Sequence, residues 1–282
     1  MSLMRELLEA RKTTDIDEIN AIISENRNST NLSDKGICSL TDLDFKKRSY
    51  SKLNLSNNYL KDLKGCPDVK GELDLSENEL TSLKGLPANI LCDIYVNQNP
   101  SLTSLEGLPK YLHSLSANRT KIKNLKGAPD NLAGYLSAFN CQLTSLEGAP
   151  REVGIEFGGD CDFSDNPLTS LKGAPLIVQG SFFFTNTKVT SLQGIGQEYL
   201  KVIYDSIAFD LNKIRSHALG LLLVKGLQRI DYSKPSMKNI GFYIINKWIH
   251  KAKNDNSSSA EEYLIDCQHE LIEAGFDDLA QL

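Results

Sequence analysis

No stretch of this sequence approaches the roughly 20 apolar residues that a membrane-spanning helix needs; the longest apolar run, Gly220-Leu221-Leu222-Leu223-Val224, is far too short. The first residues lack the layout of a secretory signal, because Glu6, Glu9 and Arg11 interrupt any apolar stretch. A soluble, cytoplasmic protein is expected. Excess basic charge is missing too: 31 Lys and Arg stand against 36 Asp and Glu, a net charge of -5. That argues against nucleic acid as a partner, since broad phosphate-backbone binding needs clustered cations. Histidine is scarce. His113, His217, His250 and His269 are scattered, and no HExxH, GxSxG or glycine-rich nucleotide motif accompanies them. The six cysteines form no CxxC pair, which leaves zinc without support, and a disulfide framework would require a secreted context. The expectation is a non-enzyme with no catalytic residues, no cofactor and no metal.

What the sequence does contain is a repeat. The string Leu80-Thr81-Ser82-Leu83-Lys84-Gly85-Leu86-Pro87 returns almost verbatim at 102–109, 122–129, 143–150 and 168–175. An earlier copy occupies 60–67, a decayed one 189–196, and Leu40-Thr41-Asp42-Leu43 is a degenerate first copy. The second leucines, Leu43, Leu63, Leu83, Leu105, Leu125, Leu146, Leu171 and Leu192, are 20, 20, 22, 20, 21, 25 and 21 residues apart. Upstream of each copy lies an alternating segment, clearest in Leu53-Asn54-Leu55-Ser56-Asn57-Asn58 and Leu73-Asp74-Leu75-Ser76-Glu77-Asn78. Together these read LxLxxNxLxxL at leucine-rich-repeat spacing. Alternation turns the leucines inward and the intervening residues outward, and stacking pairs the segments into a parallel sheet. The fold class is therefore an α/β solenoid of the leucine-rich-repeat type, with short parallel strands, a helical N-terminal cap and a small helical C-terminal region.

Two residues before each first repeat leucine sits a small or polar residue: Cys38, Asn58, Asn78, Thr120, Cys141, Asn166 and Thr187. These read as a buried ladder that satisfies turn backbone groups inside the solenoid. At the copy beginning with Leu102 the position holds Pro100, with Asn99 one residue early, so a bulged turn is expected there. The Gly-Ala-Pro and Gly-Leu-Pro segments turn the chain, glycine by tolerating positive φ and proline by fixing φ. Too few residues remain before the next strand for a helix, so the convex side should be extended or 3₁₀-like.

The sequence divides into an N-terminal helical cap (1–34), the solenoid (35–205) and a C-terminal helical domain or cap (206–282). Leu3, Met4, Leu7 and Leu8 make one apolar stripe and Ile16, Ile19, Ile22 and Ile23 a second, with Asp15 and Glu18 placed to cap a helix. Residues 200–204 offer one further strand. Pro235 suits a first helical position, and Ser258 with Glu261, or Ser259 with Glu262, forms a capping box for a last helix ended by Gly275. Lysines around Trp248 on one helix and carboxylates on the next are open to two readings: complementary solvated faces, or contact with an acidic partner.

Most outward strand residues are small or polar, as a solvated face requires. Tyr95, Tyr135, Phe139 and Phe183 are not, and aromatics on a rigid concave face are hot-spot candidates. Asp74, Asp93, Asp160 and Asp162 beside them favour a basic protein partner. The competing reading is that the rings only cover neighbouring strands. The irregular stretch Arg151 to Asp160, in the longest repeat, is either a second binding candidate or a plain loop.

The LTSLxGxP units and L-x-L-S-x-N strands resemble the short leucine-rich repeats of bacterial effectors of the YopM and IpaH type. They are more similar to leucine-rich-repeat proteins encoded by large tailed bacteriophages, whose units look like Phe163 to Pro175 and whose tails look like Cys267 to Phe276. The ligase activity of the IpaH group needs a Cys-x-Asp motif; Cys66-Pro67-Asp68 lies in a repeat turn, and Asp266-Cys267-Gln268-His269 lacks the motif. The resemblance implies a viral, host-interacting factor that binds or inhibits a host protein in the host cytoplasm. The alternative is an assembly accessory protein that oligomerises through its caps.

Overall fold

The computed structural model describes residues 15–26, 28–45, 49–88, 90–231, 240–254 and 260–282. The N-terminal stripe at Leu3 to Leu8, Pro235 and the 258/259 capping box lie outside these residues. Helix α1 (Ile16–Glu25) opens on Asp15, whose carboxylate accepts from Glu18 N at 3.0 Å, so the capping pair is in place.

Among the described residues fourteen short strands follow: β1 (Ser29–Asn31), β2 (Ser49–Asn54), β3 (Asp68–Asp74), β4 (Asp93–Tyr95), β5 (Ser114–Ser116), β6 (Asn131–Leu132), β7 (Leu136–Ser137), β8 (Glu152–Val153), β9 (Cys161–Asp162), β10 (Ile177–Val178), β11 (Phe182–Phe183), β12 (Val202–Ile203), β13 (Ser206–Ala208) and β14 (Arg229–Asp231). Ten form one parallel sheet in the order β1-β2-β3-β4-β5-β7-β9-β11-β13-β14, and β12-β10-β8-β6 form a second. This is the leucine-rich-repeat solenoid the period dictates. The second sheet is the extended flank that turns of this length permit. The long sheet includes β1 before the repeat strings and β13 and β14 after them, so residues beyond the repeats extend the same ladder.

The inward side is one continuous core. Leu53, Leu73, Ile94, Leu115, Leu136, Cys161, Phe182 and Ile207 stack along it, each on the Cα register of the next. Toward the C-terminal end leucine gives way to phenylalanine. Phe163, Phe182, Phe184, Phe209 and Phe242 form a chain of ring contacts with centroids 5.6, 5.8, 5.0 and 5.5 Å apart. Its last member belongs to α2 (Ile240–Asn254), so the terminal helices close the solenoid's apolar cross-section, which an open end would expose. Helix α3 (Ala260–Glu273) packs on α2, and Gly275 ends it at φ +80. Trp248 is only 7% exposed and donates from Nε1 to Glu270 at 2.7 Å, while Lys247 pairs with the same carboxylate. Lys247 and Glu270 thus pair across α2 and α3, and Lys251 lies 4.2 Å over the Trp248 ring.

The ladder departs from its sequence reading at two rungs. Asn99 is fully buried: Nδ2 donates to Leu75 O, Val96 O and Asn97 O, and Oδ1 accepts from Leu80 N at 3.0 Å. The rung is intact, because its phase is set by the strand (three residues after Val96) and the extra residue falls behind it. Cys38 is exposed and is no rung; its thiol reaches only Gly36 O at 3.5 Å. In that turn Asn58 does the work, accepting from Lys35 N and Ile37 N.

Burial also sets the thiol chemistry. Desolvation pushes Cys66, Cys92 and Cys267 up to about 12 and Cys161 well above its ordinary value. At pH 8 an aromatic disulfide reagent is expected to titrate one thiol of the native protein, Cys38, and all six after urea unfolding. The raised values mean the folded state holds protons the unfolded chain releases, so these thiols add stability below about pH 9 that is lost as pH climbs toward 12. Rapid native reaction of a second thiol would contradict the burial.

Candidate binding face

The register of the long sheet lays its outward residues in rows. One row carries Asn54, Asp74, Tyr95, Ser116, Ser137, Asp162, Phe183, Ala208 and Asp231. The neighbouring row begins Lys52, Glu72, Asp93 and Ser114, and continues through Tyr135, Asp160 and Ser181, each two residues before its partner in the first row. All eight residues expected to bind lie on this face except that Phe139, two residues beyond Ser137, falls in a third row.

Tyr95, Tyr135, Phe139 and Phe183 are half-buried rather than exposed. For the two tyrosines the cause is visible. They flank β5, whose outward residues are only serines. Ser114 and Ser116 are left 2% and 5% exposed. Burial, then the nearby Tyr95, then the carboxylates Asp93 and Glu72 push the Tyr135 phenol far above its usual range, so it stays neutral. For this pair, covering the neighbouring strand is one role the rings perform.

The inserted stretch folds back onto the same face. Phe157, 70% exposed, sets its ring 5.0 Å from that of His113, edge-on at 62°. His113 Nδ1 donates to Asp93 Oδ1 at 2.6 Å. Ser114 Oγ lies 3.5 Å from that same nitrogen, and accepts from Tyr135 N. Serine and aspartate on one ring nitrogen is not a nucleophile relay, which needs the base between the two groups. Among the described residues, no cluster of three or more His, Cys, Asp and Glu is placed to hold a metal ion, and no helix is long and apolar enough to cross a membrane.

Beside the insertion the face opens into a pocket of about 510 Å³ lined by Tyr135, Ser137, Gly158, Gly159, Asp160, Asp162 and Phe183. It joins two features that were separate in the sequence, the aromatic rows and the glycine-rich insertion. Gly159 is required there: a Cβ would stand 2.5 Å from Gly134 O. Asp160 accepts from Ser181 N at 2.7 Å and Asp162 from Ser164 N at 2.9 Å, each through Oδ1. Asn54 and Asp74 make the same contact to Ser56 N and Ser76 N in their turns. An amide oxygen therefore suffices for the fold, and the negative charge at 74 and 162 is surplus to it.

Charges toward the ends of the face are paired. Lys52 meets Glu72 at 3.0 Å, Arg229 meets Asp205 at 3.2 Å and Asp231 at 2.6 Å, and Lys213 meets Asp210 at 2.8 Å. Among the described residues no Lys, Arg or His forms an ion pair with Asp74, Asp160 or Asp162. Gly158 and Gly159, which with Gly154 marked the Arg151 to Asp160 stretch in the sequence, line this pocket; a glycine also precedes the strand segment in three successive repeats, at Gly134, Gly159 and Gly180. No protein-family model matches the chain, and no curated protein matches it.

Proposed function

We propose that this protein is a non-enzymatic binding module whose long-sheet face engages a basic partner protein. The carrying observation is the trio Asp74, Asp160 and Asp162, which lack cationic partners among the described residues, with Asp74 and Asp162 charged where the fold needs only an oxygen, beside half-buried rings on a parallel sheet. Unpaired charge on a preformed face steers and selects an oppositely charged partner. The repeat units resemble those of tailed-phage proteins. Within that likeness the partner is a host protein that the module binds or inhibits, and the site of action is the host cytoplasm. The alternative, an accessory protein that self-associates through its ends, has the exposed Ile265 and Ile272 on α3 as its support.

The test is capture from lysate of a candidate bacterial host, with identification by mass spectrometry, run in parallel on face variants. Alanine at Phe139 and Phe183 combined with Asp74→Asn is expected to weaken capture at least about tenfold, the effect of losing roughly 1.4 kcal/mol at a hot spot. Lys172→Ala, on an exposed turn, should leave it unchanged. Equal capture by all variants would place the partner elsewhere on the molecule.

A further inference from the structure

We infer that the pocket between Tyr135 and Phe183 is a receptor for a single guanidinium group, an arginine side chain presented by the partner. The inference deepens the binding-face reading and rests on it for the source of the arginine.

The pocket is a consequence of register. Three adjacent strand segments contribute two outward residues each: Tyr135 and Ser137, Asp160 and Asp162, then Ser181 and Phe183. The rings occupy opposite corners of this block and serines the other two, so space opens diagonally between the rings over the paired carboxylates. The two ring-bearing positions are two sheet spacings apart across the strands and two residues apart along them, roughly 12 Å on the diagonal. A flat cation stacked between two rings needs about 7 Å, twice a van der Waals contact, so clamping one requires both side chains to lean over the carboxylates.

The chemistry selects the occupant. Each carboxylate spends Oδ1 on a backbone N–H, Asp160 on Ser181 and Asp162 on Ser164, and retains its second oxygen. Two carboxylates are few for a hard metal ion, which takes six or more oxygens, and aromatic walls give such an ion nothing. An organic cation gains from both, because a ring face attracts cations and a carboxylate accepts their hydrogen bonds. Guanidinium fits better than ammonium: it is planar, stacks on rings, is weakly hydrated and offers donors in a fork toward two acceptors. Neutral Tyr135 presents its ring without adding a competing charge. Gly158 and Gly159 line the pocket without side chains that would fill it.

The experiment titrates the full chain with N-acetyl-arginine methylamide and follows backbone amide resonances by NMR. Saturable shifts confined to Ser137, Gly158, Gly159, Asp162 and Phe183 are expected. The citrulline counterpart, the same shape without charge, should bind at least about tenfold more weakly. Asp160→Asn with Asp162→Asn should weaken the arginine probe by a similar factor, and these variants keep the oxygens the fold uses. Phe183→Leu should weaken it about fivefold, a cation–π loss near 1 kcal/mol. Equal binding of citrulline, shifts elsewhere, or saturation by calcium that Phe183→Leu leaves untouched would each overturn the assignment. The probe needs no partner. If arginine fails to bind while face variants still lose partner capture, the pocket assignment falls alone. If arginine binds while capture ignores those variants, the face reading falls and the receptor stands.

Discussion

Gly107→Ala is expected to cost roughly 2–5 kcal/mol and to unfold a large fraction of molecules well below the wild-type urea midpoint. Gly107 sits at φ +104, where an L side chain is strained. A Cβ built on it would stand 2.4 Å from Leu83 C and Lys84 N and 2.6 Å from Leu83 O, all backbone of the preceding turn. No rotamer change relieves a contact with backbone, so the two stacked turns must separate, and the leucines beneath lose their close packing. Gly275→Ala provides the comparison. Its φ is +80 but nothing lies within 4 Å of the added carbon, so only the conformational cost of about 1 kcal/mol remains. Equal urea midpoints for the two variants would mean that turn stacking is looser than the backbone contacts require.

Asn99→Ala is expected to cost roughly 3 kcal/mol or more, again read from the urea midpoint. The loss is in hydrogen bonds rather than volume. Leu80 N and Val96 O lose their partner at a buried site, while Leu75 O and Asn97 O are left with Asn78 Nδ2 and Glu77 N. Asn99→Thr should cost about half as much, since a hydroxyl can still reach the carbonyl three residues back, as Thr120 Oγ1 does to Ala117 O at 2.9 Å. A near-neutral Asn99→Ala would show that Leu80 N and Val96 O find other partners.

The contrast between these two sites shows what was legible in the sequence. Gly107 was readable directly: a glycine recurring before proline at a fixed repeat position announces a positive-φ turn. The inward leucines were equally plain, because period-two alternation decides their side of the sheet. Asn99 was misjudged because the rung was phased against the leucine that follows it, whereas the strand before it, through Val96, fixes its place. Cys38 was misjudged for the same reason; it stands two residues before Leu40 but follows no strand that would carry it inward. The pocket was legible only in parts. Tyr135, Asp160, Asp162 and Phe183 were all assigned to the outer face, yet their meeting depends on which strands are neighbours and on a small residue at each opposite corner. The contact of Phe157 with His113 was not legible at all, since nothing local in a glycine-rich insertion says which way it folds back.

The rungs also grade how firmly neighbouring turns are coupled. Asn58, Asn78 and Asn99 each tie their own turn to the one before, through Leu32 O, Leu55 O and Leu75 O. Asn166 does the same through Ala138 O. Between these stiff links stand Thr120, whose hydroxyl donates within its own turn and touches the Cys141 thiol of the next at 3.3 Å, and Cys141, whose tie to Ala117 O is a thiol contact at 3.1 Å, an inherently weak donor. A linear array yields first where its nearest-neighbour coupling is poorest. Side-chain coupling is therefore thinner at the threonine and cysteine rungs than at the asparagine ones, and Thr187, whose hydroxyl also stays within its own turn, belongs with them. The strands β7, β9 and β11 that line the pocket thus stand in turns whose rungs are Cys141, Asn166 and Thr187, one firm tie between two weaker ones.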